Sequence, residues 1–169
     1  MILWPSDKLF SFYRLALLTF LLAVLFFLPL DAGGKLPSGT AELLDWDETH
    51  RGFSFADQVP AMSNMDFFIA DRGDKSVIHA FDSPGVIDMG SVPLDGVKQA
   101  PGAGYRNTVR PIVGHTYVIR SGGKYAKIYL KEIFLAVDSK NQEVSGFKFD
   151  WVLQPDGSRE LIPPRKASD

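Results

Sequence analysis

Three histidines, four methionines and a few acidic pairs are the residues of this chain with chemistry to offer, and no cysteine accompanies them. His50, His79 and His115 stand far apart and belong to no HxH, HExxH or HxxxH pattern, so spacing places none of them on a metal. Each reads as a loop or edge-strand histidine. Met62, Met65 and Met89 lie in or beside segments that read as loops, with Phe67, Phe68 and His79 close in sequence. Thioether and imidazole groups beside an apolar cleft can hold a planar ligand such as haem. Met62, Met65, His79 and Met89 are therefore the candidate ligand-binding residues. The competing reading is methionine as a filler of gaps under loops.

The acidic groups invite two further chemistries. Asp45 with Asp47 and Glu48, and Asp71 with Asp74, are pairs of the kind that perform acid–base work when burial splits their pKa values. They fall in segments that read as exposed loops, where solvated charge is the default. "DWDE" offers oxygen ligands to calcium but lacks the spaced ladder and glycine of a calcium loop. No GxSxG, GxGxxG or GxxxxGK[ST] occurs, so the nucleophile elbow and the common phosphate cradles are missing. "RGD" at 72–74 matches an integrin-recognition tripeptide and equally makes a turn between strands. The lack of cysteine excludes disulfides, thiolate zinc, a cysteine nucleophile and a lipidated N-terminal cysteine. No enzyme is expected on these grounds.

Stepping outward, the net charge of −2 shows no clustered basic face for nucleic acid. Lys124, Lys127 and Lys131 alternate with apolar residues and read as a solvated sheet face. Residues 15–30, LALLTFLLAVLFFLPL, carry no charge, and Lys8 and Arg14 precede them. That is the pattern of a segment inserted with its N-terminus inside. The run from Leu15 to Leu28 suits a signal-peptide core and is short of the ~20 residues of a full span. Residues 1–32 are thus a signal peptide or a membrane anchor, and the remainder is expected outside the cytoplasmic membrane, periplasmic or at the cell surface.

Residues 33–50 read as a linker: "GGKLPSG" as a tether, then "AELLDWDETH" as a helical turn or loop. From Arg51 to 163 short strands alternate with turn residues. "RGFSF", "MDFFIA" and "SVIHAF" are candidate strands separated by "DQVPAMSN" and "DRGDK". Residues 83–111 form a loop-rich connection. "GHTYVIRSGGKYAKIYLKEI" alternates on both sides of a glycine turn, with Ala126, Ile128 and Leu130 assigned to the core. Ile133 and Leu135 are out of phase with that pattern, which predicts a β-bulge near Lys131–Glu132. Phe147, Phe149, Trp151 and Leu153 give the cleanest period-two strand. "QPDGS" is a turn, "RELIPP" a further short strand, and 164–169 a polar tail. The expected fold is all-β, a small antiparallel sandwich or partly open barrel, preceded by the N-terminal apolar helix.

Gly114, Tyr117, Arg120, Gly123-Lys124-Tyr125, Lys127-Ile128 and Ile133 resemble a hairpin of HmuY-like domains, which are exported all-β bacterial proteins, some of them haem-binding. "GFSFADQVPAMSNMDFFIA" and "FKFDWVLQPDGSREL" are similar to that family's earlier strand–turn and closing strand, so the resemblance spans roughly residues 51–162. It implies an extracytoplasmic binding domain with haem as a possible ligand; it carries over no axial-ligand position. The expectation from sequence is a non-enzymatic domain that binds a small apolar ligand or an envelope protein. The alternative is a structural or protein-interaction module without a small-molecule ligand.

Overall fold

A computed structural model of the chain describes residues 35–45, 52–70, 76–82, 85–138 and 140–162. The apolar N-terminal segment, His50, Asp47, Glu48, the RGD tripeptide with Asp71 and Asp74, and the polar tail lie outside the described residues. Among the described residues no helix is long and apolar enough to cross a membrane.

The described residues form two five-stranded antiparallel sheets, an all-β sandwich-like arrangement that does not close into a barrel. The strands are β1 (Ser38–Leu44), β2 (Gly52–Ser54), β3 (Val59–Ala61), β4 (Phe67–Ala70), β5 (Val77–Ala80), β6 (Val86–Asp88), β7 (Thr108–Val109), β8 (Thr116–Ser121), β9 (Lys124–Val137) and β10 (Glu143–Gln154). The first sheet runs β1-β10-β9-β8-β6 and the second β3-β2-β4-β5-β7.

Period-two alternation decides which side chains meet between the sheets. Ala126, Ile128 and Leu130 of β9 and Phe147, Phe149, Trp151 and Leu153 of β10 all point into the core, as their alternation predicts. Phe53, Phe67, Ile69 and Ile78 face them from the second sheet. The Phe53 ring stands edge-on to Phe149 at 5.4 Å and 85°, and Phe67 meets Phe149 at 5.5 Å and 67°. Edge-to-face aromatic pairs therefore join the two layers. Tyr117 enters the same core, and its hydroxyl both accepts from the Ile112 amide at 2.7 Å and donates to the Arg110 carbonyl at 3.0 Å. A phenol buried without such partners would be costly; here it ties the chain before β8 to the core.

The β8–β9 turn rests on Gly122 and Gly123, at φ +56° and +75°, the pair of left-handed residues that a two-residue primed hairpin turn needs. The β-bulge is present as expected. Leu130 pairs with Phe149 and Glu132 with Lys148, so Lys131 is the extra residue.

Four readings need correction. The chain at 38–44 is a strand, not a tether: β1 pairs with β10 from Ser38–Val152 to Leu44–Gly146, so ordered structure begins well before residue 51. The long aromatic strand β10 offers an unpaired ladder on that side, and "SGTAELL" fills it. Val59–Ala61, read as part of a connection, pairs with β2. Lys127 is not on a solvated face; it is 2% exposed. The loop-rich 83–111 stretch, which holds β6, a single 3-10 turn at Leu94–Gly96 and β7, sends Val97 and Ala100 to pack with Val118 and Leu161 over the outer side of the first sheet. "RELIPP" contributes one bridge, Gln99 to Glu160, in place of a full strand.

Candidate functional site

The four sequence-predicted ligand residues do not converge on one cleft, and two of them share a flat sheet face. Ile78 and Ala80 of β5 point inward, which turns His79 to the outer face of the second sheet. There it pairs across to Phe68, the rings 5.0 Å apart, and Phe81 closes an aromatic trio at 5.6 Å from each. Met65 reaches the same face. Its side chain lies over Gly52, where any Cβ would overlap the sulfur, and Gly52 pairs with Phe68. β2 and β5 are two strand spacings apart, ~10 Å, so Met65 and His79 stand side by side on a flat surface with Phe68 between them. A metal held between two axial ligands needs them opposed across it. Met62 is 45% exposed beyond β3, and Met89 packs on the outer side of the first sheet with Ile87, Val92 and Tyr105. The structure thus does not gather Met62, Met65, His79 and Met89 into one cleft. Among the described residues no group of three or more histidine and acidic side chains could hold a metal ion.

His115 makes one close acid contact: its Nδ1 lies 3.0 and 3.1 Å from the two oxygens of Asp88. An imidazole oriented by a carboxylate is half of a nucleophilic triad. The adjacent hydroxyl, Thr116 Oγ1, donates to the Val92 carbonyl at 2.5 Å, and Asp88 also accepts from the Gly90 amide. The pair holds the turn after β6 in place. Asp45, read as a solvated loop acid, is 5% exposed, and its amide donates to the Ser145 carbonyl at the end of the β1–β10 ladder.

Two other places have the geometry of a site. The first is the far half of the β9–β10 hairpin. β8 pairs with β9 no further than Tyr129, and β1 pairs with β10 no further than Gly146. Beyond Leu130, where the Gly114 amide and the His115 carbonyl bond to β9, residues 131–137 have β10 as their one partner strand among the described residues. The bulge at Lys131 returns Ile133, Leu135 and Val137 to the inward-facing side, in line with Phe147, at a level the second sheet does not cover. They are 38%, 78% and 58% exposed, and Ile112 and Val113 extend the apolar surface at the base of the arm. The run Ile133–Val137 is apolar on both faces of a strand, and that is the signal in the sequence that could have marked it.

The second is a groove of about 560 Å³ on the outer side of the first sheet. Lys127, Asp150 and Val152 form its floor, and Leu94, Leu161 and Ile162 rise beside them. Lys127 Nζ donates to the Val97 carbonyl at 2.8 Å, and burial pushes its proton affinity below the usual lysine value while Asp95 opposes that shift. Asp150 is engaged by Thr40 Oγ1 at 2.5 Å and by Lys131 at 3.2 Å. Reading Lys127 as a solvated strand lysine hid this groove, since its cover comes from residues 30 or more positions away.

A buried phenol lies nearby. Among the described residues the Tyr105 hydroxyl finds no hydrogen-bond partner. Burial first, and Tyr125 second, raise its pKa to about 12 against the pull of Arg120 and Arg159. The unfolded chain releases that proton near pH 10 while the fold keeps it, so the folded state binds more protons between 10 and 12. Tyr105 therefore contributes stability that is complete below pH 10 and lost as the pH rises toward 12. Lys127, with its lowered value, works in the opposite sense up to about 10.5, so the tyrosine trend is read above that. Urea midpoints at pH 11 and 12 should fall for the wild type and fall less for Tyr105→Phe; equal slopes would show that the phenol is solvated. Tyr117, shifted up by its own burial, accounts for the slope that remains.

No family model, curated protein or solved structure matches the chain.

Proposed function

We propose that this chain is a non-enzymatic binding domain, carried outside the cytoplasmic membrane by its N-terminal apolar segment, whose partner is an extended protein segment that pairs with the free edge of β9. The observation that carries the reading is the conjunction at 131–137 of a strand edge left unpaired among the described residues with the exposed stripe Ile133, Leu135 and Val137. Natural sheets blunt exposed apolar edges, because the row of free amides and carbonyls recruits another strand. An added strand gains main-chain hydrogen bonds, and side chains of like polarity meet on each face. The chemistry expected of the partner is apolar at alternate positions, to match the stripe. A second copy of this chain fits less well. The edge is ~23 Å long and one strand wide, well short of the ~800 Å² per partner of a standard stable dimer. Haem enters this reading through the resemblance to HmuY-like domains alone, and a flat haemin titration is expected from the separation of Met65, His79 and Met89.

The test is a photo-cross-linking side chain placed at Leu135 of the full chain in living cells. A discrete adduct with another protein is expected, through a peptide that reads as a strand, and lost when Ile133 and Val137 are both replaced by lysine. An adduct of twice the chain mass would assign the edge to a second copy. Cross-linking that the lysines leave unchanged, or none at all, would remove the edge as the binding surface.

A further inference from the structure

We propose that the groove floored by Lys127 binds a small anionic amphiphile, a molecule with one carboxylate and a short acyl body. The inference is independent of the β9 edge, which lies elsewhere on the chain. Lys127 is 2% exposed, yet an ammonium group carries three donors and the one hydrogen bond it makes among the described residues goes to the Val97 carbonyl. A buried ammonium needs more compensation than one neutral acceptor provides. The acids at the groove do not supply it in full. Asp150 is held by Thr40 and Lys131, and Asp95 is exposed on the rim, acting on Lys127 through its field. A ligand carboxylate would complete the ammonium's hydrogen bonding in a low-dielectric setting, where a charge-assisted bond is strong.

The walls specify the rest of the ligand. Leu94, Val152, Leu161 and Ile162 present hydrocarbon beside that one cation, and Lys35 adds a second positive group at the mouth. The volume, about 560 Å³, falls in the range of small-molecule sites, in which apolar walls surround a few polar anchors. A cationic or neutral amphiphile would match the walls and leave Lys127 without its counter-charge. The alternative is that Lys127 serves solely to tie the Leu94–Gly96 turn to the sheet.

Octanoate labelled with 13C at its carboxyl, titrated onto the full chain and followed by NMR, tests this directly. Saturable one-to-one binding is expected, weakened by about tenfold or more in Lys127→Met, the scale of a lost charged hydrogen bond, and retained in Lys127→Arg. Val152→Trp fills the groove while keeping Lys127 in the chain and should abolish binding, which keeps the test decisive if Lys127→Met does not fold. Binding that persists in Val152→Trp, equal or tighter binding of octanol or octyltrimethylammonium, or no saturable binding to the wild type would each overturn the proposal.

Discussion

Ile128→Asp is expected to leave the domain without a cooperative thermal transition. Ile128 is fully buried at the centre of β9, pairing on one side with Tyr117 of β8 and on the other with Trp151 of β10. Both neighbours point into the same core, so a carboxylate there meets hydrocarbon and aromatic rings and no cation. An uncompensated buried charge costs several kcal/mol, beyond the loss of the isoleucine's own burial. A domain of this size is stable by about 5–15 kcal/mol in total, so the substitution consumes most or all of it. Circular dichroism and a melt decide the matter, with Leu135→Asp as control. Leu135 lies on the same strand and the same side but is 78% exposed, and its replacement should leave the melting temperature nearly unchanged. A folded Ile128→Asp with an unchanged melt would mean that the faces of β9 are reversed.

Phe53→Ala should be the most damaging truncation of a single aromatic side chain. Phe53 sits on β2, a strand of three residues, and its ring lies within about 6 Å, centre to centre, of Phe55, Phe67, Phe149 and Trp151. Two of those rings belong to the second sheet's side and two to β10, so Phe53 is a junction of the layers. Removing a buried phenyl costs about 3–5 kcal/mol, at the upper end where surrounding side chains cannot collapse into the space. Strands that pair on both sides hold β2 in position, which limits that collapse. At roughly 3 °C per kcal/mol for a domain of this length, the melting temperature should drop by on the order of 10 °C. A drop of 2 or 3 °C would show that the two sheets pack loosely at this point, and would weaken the description of the core as an aromatic junction.

The core and the two binding surfaces lie in different parts of the molecule. The core substitutions act on residues that face inward on both sheets. The β9 arm and the Lys127 groove lie where one sheet extends past the other or where loops cover its outer side. Stability and binding should therefore separate: lysines on the arm alter capture without altering the melt, and core truncations do the reverse.

Features that depend on neighbouring residues alone were legible in the chain. Alternation of Ala126, Ile128 and Leu130 and of Phe147, Phe149, Trp151 and Leu153 assigned the inner faces, because a strand's side chains repeat every two residues whatever lies opposite. Gly122–Gly123 marked the hairpin turn through the backbone angles glycine allows, and the change of phase after Lys131 located the bulge. The outer faces and edges were set by packing between segments distant in the chain. "SGTAELL" became β1 because the long aromatic strand β10 had a ladder to share, a partner more than 100 residues away. Lys127 became buried because the chain around Val97 and Leu161 folds across the sheet, which no local pattern encodes. Met89 was parted from Met65 and His79 for the same reason: closeness in sequence sets which strand a residue occupies, and pairing sets which surface it reaches. The apolar stripe at Ile133–Val137 was legible as hydrophobic residues, but its exposure follows from β8, β1 and the second sheet all ending short of it.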